Sequence, residues 1–256
     1  MAQVTPTLGN FVDLAKEGNV IPVFVEFIAD GETPVSAFKK LDNGGYSFLF
    51  ESTEKNDVSG RFSFIGLDPR VVLQCYRREV RIIEEENERR LEISSDPFHE
   101  VGTLMARYQF VWHTELPRFA GGAVGFIGYE AIHFFEPKVP LAQQDELQLP
   151  EALFIVPSTL LVFDHRLHSL KIVLNAFLED GEIEKVYSRA VESINEIASK
   201  LAQPTQLPLI PIAADELQSA GRDASLPRQL SGVGAARRPY QSNFEPEDFK
   251  RAVNRA

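Results

Sequence analysis

The sequence predicts an α+β fold built on a mostly antiparallel β-sheet or sandwich with flanking helices. Three observations carry that expectation. Short apolar or alternating runs of strand length follow one another from Tyr46 to Ile93 and again from Ala123 to Phe177. Helical periodicity is confined to segments before, between and after those groups, an order that suits α+β better than repeating βα units. The chain of 256 residues, 44% hydrophobic and 25% charged, has an ordinary globular composition and enough length for a substantial core.

Leu8 to Glu17 opens the chain as a short helix, with Leu8, Phe11, Val12 and Ala15 on one face and Gly18 as its stop. Val20–Ile28 is β-branched and aromatic, and Pro22 places that strand at an edge. Thr33-Pro34 reads as an N-cap followed by proline in the first turn of a helix running through Leu41. Strands follow at Tyr46–Glu51, Arg61–Ile65, Val71–Tyr76, Val80–Ile83 and Leu91–Ile93. Asp96-Pro97 starts a helix carrying Phe98, Val101, Leu104, Met105 and Tyr108 at helical spacing. Ala123–Ile127, Leu153–Phe163 and Leu170–Phe177 are the remaining strands. Gly181–Leu201 is the longest helix, striped by Ile183, Val186, Ala190, Ile194 and Ile197.

Residues 203–243 change in texture, with five prolines from Pro204 to Pro239 and glycines at 221, 232 and 234, and they read as a linker. Charge changes there too. The chain carries −11 overall, yet residues 222–256 hold seven basic against four acidic side chains. From Phe244 a new helix begins, with Pro246, Glu247 and Asp248 in its first turn, and the chain stops at Ala256 before its apolar face is complete. The expectation is a truncated larger protein.

The acidic balance argues against a nucleic-acid binder, whose footprint would be basic. No stretch approaches the roughly 20 apolar residues of a membrane span, and the start at Met1 lacks a signal peptide, so a cytoplasmic location is expected. A single cysteine, Cys75, excludes an intramolecular disulfide and a multi-cysteine zinc site. Glu84 to Glu88 is a carboxylate cluster, read as a solvated hairpin tip in preference to a cation site. Gly121, Gly122, Gly125 and Gly128 fit neither a P-loop nor a G-x-G-x-x-G fingerprint and point to close backbone approach along a strand. Asp164 to His168 offers two imidazoles and a carboxylate, but between two apolar strands it reads as a hairpin turn. No catalytic or metal-ligating set emerges from the residues alone. Glu51 and Ser52 do stand out: at the end of an apolar strand they can together hold a ligand ammonium group, one by charge and one by hydrogen bond.

Several of these segments together resemble component I of anthranilate synthase, the large subunit of that enzyme. Leu49-Phe50-Glu51-Ser52 is similar to the family's Leu-Leu-Glu-Ser, with Phe50 in place of the second leucine. Gly60-Arg61-Phe62-Ser63-Phe64-Ile65-Gly66 matches its Gly-Arg-aromatic-Ser-Phe-Ile-Gly segment, and Gly121 to Glu130, Asp164-His165 and Ser242-Asn243-Phe244 are similar too. The related aminodeoxychorismate synthase component I usually departs from the first two motifs.

The resemblance implies a lyase of tryptophan biosynthesis. Residues 1–202 would be an N-terminal regulatory domain, 203–243 a linker, and 244–256 the start of a chorismate-binding domain. It implies an L-tryptophan feedback site at Ser52 and Glu51, with Arg61 as a further candidate. Mg²⁺ ligands and catalytic residues would lie outside this chain, chorismate would be bound by that outside domain, and a glutamine amidotransferase subunit (component II) would supply ammonia. The fragment itself would be inactive. The alternatives are a stand-alone amino-acid-binding or scaffold module, or the related aminodeoxychorismate synthase component I.

Overall fold

The computed structural model describes residues 3–52, 60–77, 79–84, 87–92, 98–136, 138–139 and 147–205, with Glu245, Lys250 and Arg251. The chain divides into two units, Met1–Leu207 and Pro208–Ala256. The linker expected over 203–243 lies almost wholly outside the described residues. Of the last helix, only Lys250 and Arg251 are described as helical.

The first unit is a mixed α+β structure on one curled antiparallel sheet. Its elements run α1 (Leu8–Leu14), β1 (Val20–Ile28), α2 (Pro34–Leu41), β2 (Phe48–Phe50), β3 (Phe62–Tyr76), β4 (Glu79–Glu84), β5 (Asn87–Glu92) and α3 (Phe98–Met105). They continue through β6 (Val124–Ile127), α4 (Ile132–Phe135), β7 (Ala152–Asp164), β8 (Ser169–Phe177) and α5 (Ile183–Leu201). The strand order is β1-β8-β7-β3-β4-β5, with β2 on β3 and β6 on β7. Of the sheet or sandwich expected, the described residues form the single sheet.

Local chemistry accounts for most boundaries. Thr33 caps α2 in a reciprocal box with Ser36, and Lys40 Nζ donates to the Leu201 carbonyl at the end of α5 (2.7 Å). Pro22 sits on β1, an end strand of the sheet, where a missing N–H is tolerated. Helices α1, α2 and α5 cover one face, with Phe11, Ala37, Val186, Ala190, Ile194 and Ile197 against Ile21, Val23, Ile65, Leu161 and Ile172. On the other face, Phe24, Leu160, Val162 and Val173 meet Leu116 and Ala120. Toward β4, α3 sets Leu104 against a third cluster with Leu73, Val80 and the buried Cys75. Because both faces of β7 and β8 are covered, these strands read as apolar runs without alternation.

One expectation is corrected. Arg61–Ile65 and Val71–Tyr76 are a single 15-residue strand, β3, with a register shift between Pro69 and Val71. Asp68 adopts φ 49° there and accepts a hydrogen bond from Thr159 Oγ1 (3.2 Å), so the irregularity is absorbed within the pairing to β7. Gly66 lies opposite Phe48, whose ring would be 2.0 Å from a Cβ at that position. Gly125 allows β6 to lie on β7; a Cβ would stand 1.8 Å from the Leu153 carbonyl oxygen. Within the glycine cluster, Gly125 serves the backbone approach expected there, whereas Gly121 makes room for the Phe110 ring and Gly122 adopts φ 109°. The hairpin tip expected at Glu84–Glu88 lies partly outside the described residues; Glu84 itself pairs with Arg107 at 2.6 Å.

Candidate functional site

Five backbone segments converge at one end of the sheet. They are the turn after β1, the end of β2, the start of β3, and the end of β7 with the start of β8. Between them lies an open cleft of about 1110 Å³, slightly above the size of ordinary small-molecule sites. Glu51, Ser52 and Arg61, separated by the residues of the β2–β3 connection, all line it. Asp30, Ser63, Asp164 and His165 join them.

Arg61 is anchored rather than free. Its Nη2 donates to Asp164 Oδ2 at 2.5 Å and its Nε to both carboxylate oxygens at 3.1 Å. The pairing follows from register, since Phe62 lies opposite Asp164 in the β3–β7 ladder. Asp164 Oδ1 also accepts the backbone N–H groups of Arg166 (3.0 Å) and Leu167 (3.2 Å), tying the β7–β8 turn. Burial works against the Asp164 charge, but Arg61 and those two N–H groups outweigh it and hold the carboxyl below its ordinary range. The bond to Asp164 likewise raises Arg61.

Behind this pair, the buried Ser63 hydroxyl meets His165 Nε2 at 2.7 Å. Ser169 Oγ donates to Glu26 (2.7 Å), which also pairs with Lys171 (2.5 Å). Glu51 differs. Its exposed carboxylate makes no hydrogen bond or ion pair with a described residue, so a negative charge stands available at the cleft wall. With Asp30, Glu32 and Asp164 against Arg61 and Arg166, the described lining is net acidic and suits a cationic group.

The structure thus brings together all three residues singled out from the sequence, and adds Asp164, Ser63 and His165. In the sequence, Asp164 and His165 read as a turn and as part of the family resemblance, but their place beside Arg61 and Ser63 was not legible, because nothing local shows which distant strand faces them. Among the described residues, no group of three or more His, Cys, Asp or Glu side chains is gathered to hold a metal ion. No helix among them is long and apolar enough to cross a membrane.

A family model described as chorismate binding enzyme matches residues 46–256. The chain belongs to that family. Within it, the chain is a member of the anthranilate synthase component I group. It is 36% identical to anthranilate synthase component 1 of Acetivibrio thermocellus over 192 residues, covering 75% of this chain and 38% of that protein. The Pseudomonas aeruginosa protein of the same name is 32% identical over 248 residues, covering 96% and 46%. That of Synechocystis is 31% identical over 253 residues, covering 98% and 47%. The chain therefore spans less than half the length of these relatives. A crystal structure of anthranilate synthase component I from Streptococcus pneumoniae TIGR4 aligns with a TM-score of 0.46 at 22% identity, covering 70% of this chain and 37% of that one. The family match begins at Tyr46 and so contains Glu51, Ser52 and Arg61.

Proposed function

We propose that this chain is the regulatory portion of an anthranilate synthase component I, and that its cleft holds free L-tryptophan as feedback effector. The observation that carries the reading is the convergence of Glu51 and Ser52 on an acidic cleft in which the Glu51 carboxylate has no partner among the described residues. Glu51 takes the α-ammonium by charge and Ser52 by hydrogen bond. Arg61, oriented by Asp164, offers its remaining N–H groups to the carboxylate.

The whole protein would add ammonia to chorismate and eliminate pyruvate, with ammonia from a glutamine amidotransferase subunit. No described cluster fits a Mg²⁺ ion; on this reading its ligands belong outside this chain. Tryptophan inhibits only as far as it binds the less active arrangement more tightly than the active one.

The test compares the full-length protein with its Ser52→Ala and Glu51→Gln variants. Losing one charge-assisted contact costs about 1.5–3 kcal/mol, so half-inhibition should require roughly 10- to 150-fold more tryptophan, with uninhibited turnover unchanged. An inhibition curve that Ser52→Ala leaves unmoved, or loss of uninhibited activity in a folded variant, would show the assignment to be wrong.

A further inference from the structure

A second cavity, of about 270 Å³, shares none of its lining residues with the Glu51–Ser52 cleft. It opens on the sheet face away from α1, α2 and α5, as the alternation along β8 requires: Leu174 and Ala176 face those helices, whereas Asn175 faces the other way. Its walls are mostly apolar, with Phe110, Trp112 and Phe177 as aromatic members beside Val20, Met105 and Val156.

Two residues of this lining each carry a polar atom buried without a hydrogen-bond partner among the described residues, the Tyr108 hydroxyl and Asn175 Oδ1. Asn175 is only 4% exposed. A buried amide oxygen lacking a donor bears its desolvation penalty uncompensated, so such an atom on a residue that lines a cavity marks a place for a donor. Burial pushes the Tyr108 phenol upward, which keeps it protonated and able to donate or accept. The exposed members of the lining are Trp112 and Arg118. Arg118 forms no ion pair with any described residue, and no acidic side chain occurs among the described lining residues. In this the cavity is the reverse of the cleft: it offers a cation and no carboxylate, so it does not suit an ammonium group.

We propose that this cavity binds a small aromatic carboxylate whose ring carries an O–H or N–H donor. The ring lies between the aromatic walls, the donor reaches Asn175 Oδ1 beside Tyr108, and the carboxylate meets Arg118 near Trp112. The reading is independent of the feedback site, with which it has no residue in common.

Trp112 is the single tryptophan of the chain, so one indole N–H resonance reports directly on the cavity. Titrated into the purified chain, 4-hydroxybenzoate shifts that resonance saturably. The donor-less 4-methoxybenzoate binds about 3- to 10-fold more weakly, the effect of one neutral hydrogen bond. Asn175→Leu abolishes the difference between the two probes. Arg118→Gln, a change at an exposed position, weakens both about 10-fold. Ser52→Ala alters neither constant, so failure here and failure of the feedback reading are told apart. No saturable shift at millimolar probe, equal affinity for the two probes in the wild-type chain, or constants unmoved by Arg118→Gln would each overturn the proposal. The cavity would then be a place for ordered water on Tyr108 and Asn175.

Discussion

Arg61 and Asp164 stand 103 positions apart and meet through a forked set of charge-assisted bonds. Neither one's own stretch of sequence points to the other; together they set one wall of the cleft and the entry to the β7–β8 turn. Asp164→Asn keeps a side-chain oxygen for the turn N–H groups but removes the charge opposite Arg61. Because Arg61 is more than a third exposed, the expected loss at pH 7 is about 1 kcal/mol or less by urea denaturation. The pH dependence is the sharper test. The folded Asp164 carboxyl is held below its ordinary range, so its contribution is fully present above the unfolded value, about 3.9, and is lost as pH falls through the folded value. Glu26 moves the same way: burial opposes its charge, but Lys171 and Ser169 outweigh it. Acidification should therefore destabilise the wild-type chain more steeply than Asp164→Asn, and parallel acid profiles would contradict the pairing.

Among the elements, those with their own apolar periodicity were legible. β1 and α2 begin and end where the sequence places them, because Pro22, Thr33 and Pro34 act within one turn of where they stand. α5 was legible from its apolar stripe. The single β3 was not, since Asp68-Pro69 has the composition of a turn and only pairing to β7 keeps it extended. Nor was the short helix α4, which follows a 3₁₀ turn at Tyr129–Ala131 and spans four residues without a side-chain cap. β6 depends on one glycine. Gly125→Ala puts a methyl into the Leu153 backbone, so the two strands must part. A loss of about 1–3 kcal/mol is expected, with faster hydrogen exchange at Val124 to Ile127 than elsewhere in the sheet. Unchanged stability and exchange would mean that β6 does not lie on β7 as described.

Over the whole molecule, one sheet covered on both faces places a polar cleft at one end and an apolar cavity on one face. On the proposed division of labour the chain regulates and the remainder of the protein catalyses. The purified 256-residue chain should then make no anthranilate from chorismate, ammonia and Mg²⁺, and steady anthranilate fluorescence above the blank would refute this. The sequence by itself determined the fold class, most helices and strands, the family resemblance and the Glu51–Ser52–Arg61 candidates. All of these rest on short-range patterns: periodicity, caps and contiguous motifs. Only the tertiary structure decided that Arg61 is held by Asp164, that Glu51 faces an acidic cleft, and that Asn175 and Tyr108 share a second cavity. Those facts depend on strand register and on which sheet face a distant segment covers, and a one-residue slip in pairing turns every side chain of a strand to the opposite face.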